Sequence, residues 1–505
     1  MADAFVSFAV QKLGDFLIQQ VSLRKNLRKE IEWLKNELLF IQSFLRDAEL
    51  KQSRDQRVQQ WVFEINSIAN DVVAILETYS FQAGKSASRL KACACICRKE
   101  KKFYNGFIPR GEERMEDVAE GFLNELIRRS LVQVVDTFWE RVTECRVHDL
   151  LHDLAIQKAL EVNFFDIYDP RSHSISSLCI RHVIHSQGKR YFSLDLSNLK
   201  LRSIMFFDPD FCNVFQHIDV FRHIYVLHLN IKEVGYIPYA IGSLYQLKFL
   251  RFRGIHDLPS SIGNLKNLQT LVFDPVRYTF QLPSETVDLI NLRHLVARYS
   301  EPLAHISKLT SLQVLERVCC DQWKDVDPVD LVNLRELSML DIRKSYSLNN
   351  ISSLENLSTL TLFCRGDESF PSLEFVNCCE KLQKLWLRGR IEKLPHLFPN
   401  SITIMVLQNS GLTEDPMPIL GMLPNLRNLD LFRAYEGKEI MCSDSSFNQL
   451  EFLILYGLEN LERWDLVTSA MPLIKGLGVD DCPNLKEIPE RMKDVELLKR
   501  NYNKW

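Results

Sequence analysis

The sequence has little that would mark a membrane-spanning, nucleic-acid-binding or secreted protein. It contains no run of roughly 18 apolar residues, so no transmembrane helix is predicted. Lysine and arginine number 62 against 65 acidic residues, and a net charge of -3 gives no sign of a nucleic-acid partner. The N-terminus has an acid at Asp3 where a secretory signal has lysine or arginine, so no such signal is predicted.

Motifs that carry chemistry are also scarce. The 13 cysteines include no two C-x-x-C pairs at the spacing of zinc ligands. Without a secretory signal these thiols are expected to stay reduced, which predicts a cytoplasmic protein. No nucleophile elbow or other ordered catalytic motif occurs, so we predict that the chain is not an enzyme. His148 and His152 are spaced as in zinc proteases, but Asp149 replaces the catalytic glutamate and no third ligand can be named, so no metal is expected.

One phrase is abundant: apolar-x-x-apolar-x-apolar, repeated from Leu201 to Val479. Its period falls within the roughly 20–29 residues that are typical of leucine-rich repeats, in which each repeat supplies one short strand of a horseshoe. A weaker copy starts at Leu312 and Leu315. The other copies are Leu201/Ile204/Phe206, Ile224/Leu227/Leu229, Leu247/Leu250/Phe252, Leu268/Leu271/Phe273, Leu292/Leu295/Ala297, Leu334/Leu337/Met339, Leu357/Leu360/Leu362, Leu382/Leu385/Leu387, Ile402/Met405/Leu407, Leu426/Leu429/Leu431, Leu450/Leu453/Leu455 and Ile474/Leu477/Val479.

The intervening positions of each phrase are predicted to face solvent on the concave side of the stacked repeats. Stacking buries the leucines between neighbouring repeats and leaves these positions for recognition. We therefore predict a protein-binding face there. Its candidate residues are Tyr225, His228, Lys248, Arg251, Arg253, Arg293, His294, Lys384 and Trp386.

Two blocks precede the repeats. Residues 1–104 show apolar spacings typical of packed helices, which predicts a coiled-coil helical bundle followed by a basic linker. In that linker, Cys93-Ala-Cys95-Ile-Cys97 beside basic residues leaves lipid attachment open as an alternative to a solvated linker. Residues 105–165 follow the order helix, β-hairpin, helix, which suggests a winged-helix remnant. Residues 166–505 are assigned to the leucine-rich repeats. The predicted fold class is therefore α plus an α/β solenoid: a helical bundle and a winged-helix remnant followed by a leucine-rich-repeat horseshoe.

Three segments outside the repeats carry further motifs. The first is Met1-Ala-Asp-Ala4, followed by apolar residues on one helix face. The second is Val73-Ala-Ile-Leu-Glu77, and the third runs from Cys145 to Ala155 and includes Val147-His148-Asp149. Together with the repeats, these segments resemble the plant intracellular immune receptors, or disease resistance proteins, that combine a coiled coil, a nucleotide-binding switch and leucine-rich repeats. The face of the first helix consists of Val6, Phe8, Val10, Leu13 and Leu17.

The resemblance implies a role for each segment. The N-terminal helix would signal, and in relatives it is thought to insert into the plasma membrane as part of a pore. Glu77, the surviving acid of the family's acidic motif, would contribute to the contact between the bundle and the repeats. His148 and Asp149 stand where the family reads the phosphate of bound ADP or ATP. The partners implied are a pathogen effector or a guarded host protein, with full-length receptors or chaperones as further candidates.

One part of the family's pattern is absent from the sequence. Tyr104 is followed almost at once by Gly106-Phe-Ile108, where the family places a nucleotide-binding domain. No G-x-x-x-x-G-K-[ST] phosphate loop occurs, and Gly84-Lys-Ser86 is only a partial match because Tyr79 replaces the first glycine. We therefore predict that the chain binds no nucleotide cofactor and that His148 and Asp149 have lost their sensing role.

The resulting hypothesis is an immune-receptor variant that recognises its target through the repeats without nucleotide switching. It would act as a decoy, as a modulator of a full-length relative or as a weakly autonomous signaller. The alternative is a scaffold without an immune role, which binds another protein constitutively through the same repeats.

Overall fold

The computed structural model describes residues 115–129, 131–138, 141–147, 156, 164–171, 179–194, 196, 201–207, 214–234, 237–275, 281–301, 303–320 and 331–498. The predicted helical bundle lies outside these residues. The chain divides into two compact units, of which the first extends to Ile167 and includes Ser174–His182. The second comprises Tyr168–His173 and the residues from Val183 onward.

The first unit contains one described helix and one hairpin. Helix α1 (Met115–Arg128) precedes the antiparallel strands β1 (Val132–Phe138) and β2 (Arg141–Val147), and a short strand β3 (Asp166–Ile167) follows. This arrangement confirms the helix and hairpin predicted for the winged-helix remnant. The helix predicted to follow falls outside the described residues apart from Ile156. The buried core of this unit consists of Leu126, Val132, Cys145, Val147, Phe165 and Cys179.

The second unit is a leucine-rich-repeat solenoid in which successive repeats supply neighbouring parallel strands. Strand β4 (Arg181–Ile184) and helix α2 (Gly188–Phe192) precede the repeats. The strands of the main sheet are β5 (Ser203–Phe206), β6 (Val226–Val234), β7 (Phe249–Ile255), β8 (Thr270–Pro275), β9 (His294–Ala297), β10 (Val314–Cys319), β11 (Glu336–Ile342), β12 (Thr359–Cys364), β13 (Lys384–Arg388), β14 (Ile404–Gln408), β15 (Asn428–Phe432), β17 (Phe452–Tyr456), β19 (Gly476–Asp480) and β20 (Glu496–Leu497).

Short helical turns connect most of these strands. A second parallel sheet of two strands, β16 (Glu439–Cys442) and β18 (Arg463–Leu466), lies in the C-terminal repeats, as does helix α3 (Met417–Leu420). The remaining turns are 3-10 helices at Val214–Phe221, Tyr239–Ser243, Ser260–Asn264, Ser284–Asp288, Ile306–Lys308, Asn349–Ser353, Glu374–Cys378 and Glu490–Met492.

The strand register confirms the predicted phrase. Its middle position forms a continuous row, in which Leu337 pairs with Leu360 and Leu360 pairs with Leu385. The first positions are buried from Leu201 to Leu450, which are both 0% exposed, whereas Ile474 in the last copy is half-buried. This burial is the main stabilising force of the solenoid, because each apolar side chain is removed from water by its own repeat and its neighbours.

Strand β10 departs from the phrase, at the weaker copy noted in the sequence. Leu315 pairs with Leu337 as expected, but Val318 instead of Arg317 pairs with Met339. Arg317 has a φ of 66°, in the left-handed region, and forms a bulge that shifts the register by one residue. The third buried position of this repeat is therefore Val318, which is 2% exposed.

In some repeats an asparagine directly precedes the first apolar position of the phrase, and its side chain connects the repeat to the preceding one. Asn291 Nδ2 donates to Lys266 O at 2.8 Å, and Asn333 Nδ2 donates to Thr310 O at 2.9 Å. Asn356 repeats this contact with Val332 O at 2.6 Å. Each bond satisfies a backbone carbonyl of the preceding repeat, so these bonds fix the offset between neighbours.

Glycine in the Ile-Gly pairs of the second and third repeats allows close approach. A Cβ atom on Gly242 would lie 2.6 Å from Ser261 O, and one on Gly263 would lie 2.6 Å from Glu285 O. Both distances are too short for a carbon atom beside a backbone oxygen. The turns of neighbouring repeats can therefore pack only if this position has no side chain.

Replacing Gly263 with alanine is expected to lower the free energy of unfolding by about 1–3 kcal/mol, because the new methyl group forces backbone to move. Denaturant unfolding of the full chain measures the loss. Gly478→Ala is the matched control, since its Cβ would lie 3.4 Å from Ile454 Cγ1 in ordinary contact. Equal losses in the two variants would contradict the close-approach argument.

Candidate protein-binding face

The candidate recognition residues lie beside the phrase positions along one side of the main sheet. We call this side, formed by the intervening residues of each phrase and the residues that directly follow it, the strand face. Parallel pairing places His228 beside Arg251, and His294 beside Thr270 and Val314. Lys248 and Arg253 are exposed, and the half-buried candidates are Tyr225, Arg251, Arg293, Lys384 and Trp386.

The expected exposure of two histidines is wrong: His228 and His294 are each 1% exposed. Neighbouring strands lie only about 4.8 Å apart, so the side chains of adjacent repeats cover one another. His294 Nδ1 lies 3.2 Å from Thr270 Oγ1, within hydrogen-bond distance. The His228 ring packs edge-on against Phe207 with centroids 5.1 Å apart. Both histidines therefore belong to the packed floor of the face.

Burial also changes the titration of this floor. It lowers the pKa of His228 to about 4, because the charged imidazolium cannot be solvated there. The pKa of His185 is lowered to about 4 for the same reason. Its ring stacks on the ring of Phe207, which also contacts His228, with centroids 5.2 Å apart. Both histidines are consequently neutral at physiological pH.

The leading edge of the strand face is basic in the N-terminal repeats. Backbone hydrogen bonds connect its residues in order: Lys248 N donates to Tyr225 O at 2.9 Å, and Arg293 N donates to Gln269 O at 2.8 Å. The guanidinium of Arg202 and the ammonium of Lys248 both lie over the Tyr225 ring, at 4.7 Å and 5.6 Å from its centroid. These cation–π contacts position two charges beside one aromatic ring.

In the C-terminal repeats the strand face is more aromatic. Trp386 packs edge-on against Phe363 with centroids 6.3 Å apart, and Phe432 stacks on Tyr456 at 4.7 Å. Sequence analysis missed Phe432 and Tyr456. The available signal was an aromatic residue directly after the last apolar position of two successive phrases, at Leu431 and Leu455.

A cluster at the trailing edge of β9 and β10 combines two arginines with one tyrosine. Arg298 lies over the Tyr299 ring at 5.0 Å from its centroid and donates from Nη2 to the Tyr299 hydroxyl at 3.3 Å. Tyr299 N in turn donates to Arg317 O at 2.9 Å. Burial, with the charge of Arg298 as a further cause, lowers the pKa of Arg317. Sequence analysis also missed this cluster.

The described residues offer contact surfaces instead of reactive groups. Burial raises the pKa of the Cys379 and Cys442 thiols to about 12, so neither forms a thiolate nucleophile near neutral pH. Within the described ranges, no three histidine, cysteine or acidic side chains are grouped to hold a metal. The motif residues His148, Asp149 and His152 fall outside those ranges.

The predicted residues of the N-terminal segment also fall outside the described part of the chain. They are Val6, Phe8, Val10, Leu13 and Leu17 of the signalling helix, and Glu77 of the bundle contact. No helix among the residues that the structure describes is both long and apolar enough to cross a membrane.

The fold and its register define a leucine-rich-repeat protein, and residues 200–497 match the family described as "Leucine-rich repeat region". Two further matches precede it: "Rx N-terminal domain" over residues 5–104 and "Disease resistance protein Winged helix domain" over residues 103–155. The chain belongs to the leucine-rich-repeat disease resistance proteins. Its family is therefore that of the resemblance found in the sequence.

Similar curated proteins carry the same description. Disease resistance protein RPP8 of Arabidopsis thaliana is 32% identical over 425 residues, which cover 76% of this chain and 45% of that protein. Disease resistance protein RPP13 of the same plant is 31% identical over 386 residues, covering 73% of this chain and 43% of that protein. The chain thus matches less than half the length of these relatives.

Solved structures with similar folds are leucine-rich-repeat proteins of low sequence identity. Toll in the Toll–Spatzle complex of Drosophila has a TM-score of 0.48 and 16% identity, over 67% of this chain and 54% of that chain. The Leptospira interrogans protein LIC12759 has a TM-score of 0.43 and 18% identity, over 64% of this chain and 90% of that chain.

Proposed function

We propose that this chain acts in plant defence by recognising a pathogen effector, or a host protein that an effector alters, through the strand face. The observation that carries this proposal is the register of the repeats, which holds accessible basic and aromatic side chains in fixed rows on a rigid sheet. Such a surface binds a partner without a large ordering cost, because its side chains are already positioned. The aromatic and arginine residues are of the types that dominate binding energy at protein interfaces.

The target of this face would present an acidic surface to the N-terminal repeats. Lys248, Arg251 and Arg253 lie within a single repeat, and Arg293 extends the basic surface two repeats further. Complementary charge would accelerate association and favour acidic partners. An effector-dependent cell-death assay that compares the Lys248→Glu and Arg293→Glu variants with the wild-type chain tests this role. Unchanged responses to every effector that activates the wild-type chain would count against the strand face.

We further propose that this chain works without nucleotide switching. The support is the absence of a phosphate-loop sequence and the presence of Gly106-Phe-Ile108 only two residues after Tyr104. His148 and Asp149 would then serve the winged-helix remnant structurally. With no switch of its own, the chain would act as a decoy, as a modulator of a full-length receptor or as a weakly autonomous signaller.

Purified full-length chain is accordingly expected to retain neither ADP nor ATP through gel filtration, with or without magnesium. Chromatography of the nucleotides released by denaturation measures the result, and a relative that contains a phosphate loop provides the positive control. A near-stoichiometric, magnesium-dependent ADP content would show that the switch is present.

Constitutive capture of one host protein, in the absence of any effector and without an effect on cell death, would favour the scaffold alternative. Co-purification from infected and uninfected tissue distinguishes the two functions. The immune function requires that the set of captured proteins, or the cell-death response, changes on infection.

A further inference from the structure

Two bulky residues hold strained backbone at the trailing edge of the strand face. Tyr299 has a φ of 61° and Arg317 has a φ of 66°, a region that side chains with a Cβ rarely adopt. Tyr299 lies two residues after the last apolar position of its phrase, where Asp341, Asn409 and Arg433 also have a positive φ, so its conformation belongs to the repeat. Arg317 does not occupy that position, and its strain persists only because the surrounding structure enforces it. The two strained residues are joined by the 2.9 Å bond from Tyr299 N to Arg317 O.

The strain at Arg317 coincides with the bulge in β10. This repeat is the one that departs from the apolar phrase, since Val318 takes the buried position that spacing assigns to residue 317. An arginine at the regular position would have to enter the core. Instead, the bulge directs a half-buried arginine to the edge of the face, and bulges of this kind commonly re-aim side chains at binding sites.

The side chains around the bulge bring two arginines together beside one tyrosine. Arg298 is held by the Tyr299 ring and hydroxyl, while its side chain remains 41% exposed. The adjacent acids are Asp274, 3.8 Å from Arg298 Nη1, and Glu316, which precedes Arg317. Since 3.8 Å is too long for a hydrogen bond, a better-placed carboxylate can pair with Arg298 in its place.

We propose that Arg298, Tyr299 and Arg317 form an anchor site for a carboxylate side chain on an acidic segment of the protein partner. This inference rests on the proposed recognition function and names the chemistry of its ligand. Two guanidinium groups and a tyrosine hydroxyl provide donors suited to an aspartate or glutamate. Arg253 pairs in register with Asp274 and adds positive charge beside the anchor, so an acidic segment is attracted along this edge.

The test measures binding of a fluorescein-labelled oligoglutamate peptide to the full chain by anisotropy, with oligoglutamine as the neutral probe. Wild type is expected to bind oligoglutamate and to ignore oligoglutamine. Arg298→Gln and Arg317→Gly are each expected to weaken binding by about tenfold or more, the effect of losing a charge-assisted hydrogen bond. Arg317→Gly is also expected to unfold at the same or a higher temperature, because glycine accepts a positive φ.

Two controls separate the anchor from general effects. Asn409→Gly relieves a φ of 51° elsewhere in the sheet and should leave peptide binding unchanged. Lys308→Gln removes the charge of an exposed residue outside the cluster and should also bind as wild type does. Weakening of similar size in Lys308→Gln would overturn the proposal, as would wild-type affinity in Arg317→Gly.

Inorganic phosphate is the competing ligand. If phosphate displaces the peptide at the peptide's own concentration, the cluster takes a free oxyanion and the assignment to a protein carboxylate is wrong. Loss of peptide binding in the two arginine variants with an intact effector-dependent cell-death response would overturn the anchor site alone. Intact peptide binding by the wild-type chain, together with unchanged responses in Lys248→Glu and Arg293→Glu, would count against the recognition function and leave the anchor site standing.

Discussion

Replacing Leu360 with alanine is expected to lower the free energy of unfolding by about 2–5 kcal/mol. Leu360 is 0% exposed and pairs in the middle row with Leu337 and Leu385, so the truncation removes apolar burial and leaves a cavity between repeats. Urea unfolding of the full chain, followed by circular dichroism, measures the change.

The matched control for this truncation is Leu397→Ala. Leu397 is 61% exposed, so the same chemical change removes little buried surface and should cost only a few tenths of a kcal/mol. Comparable losses in the two variants would mean that the middle row does not carry the stability of the solenoid.

Acidification is expected to destabilise the N-terminal repeats through His228. Its pKa is lowered to about 4 in the folded chain, against an ordinary value near 6.5 that applies after unfolding. Above pH 6.5 both states are neutral and there is no effect. As the pH falls from about 6.5 to about 4, only the unfolded chain takes up the proton, so about 3 kcal/mol of stability is lost over that window.

Unfolding of wild type and His228→Gln across pH 4 to 7 measures this contribution. The variant lacks the titrating ring, so its stability should fall less steeply with acid, by about 1.4 kcal/mol per pH unit. His396→Gln removes a solvent-exposed histidine and should keep the wild-type slope. A wild-type slope in His228→Gln would show that this histidine is not buried as a neutral ring.

Sequence reasoning predicted the solenoid because its physical cause is periodic. Every repeat must bury the same positions, so Leu201 and Leu450 obey one rule although they lie in repeats far apart along the sheet. The helix and hairpin before the repeats were also predictable. The residues from Met115 to Val147 show first the apolar spacing of a helix and then the apolar pattern of strands. The motifs in the three segments outside the repeats then identified the protein family from the sequence.

The recognition face was harder to predict because its burial depends on neighbours that lie some two dozen residues away. Spacing shows which side of a strand His294 is on, but not that Thr270 in the adjacent repeat covers it. The bulge at Arg317 was equally hidden, because an arginine in a weak repeat copy does not indicate its backbone conformation. The predicted roles of His148, Asp149 and Glu77 stay predictions.

The asparagine bonds between repeats have a consequence for how this chain can change over generations. Each of these bonds reaches only the preceding repeat, as between Asn356 and Val332 or between Asn291 and Lys266. Where a repeat carries this asparagine, deletion of the repeat before it by unequal crossing-over leaves the side chain facing the equivalent carbonyl of the new neighbour. Such local bonds allow a gene to lengthen, shorten or shuffle its target-facing surface without changing the contacts elsewhere in the solenoid.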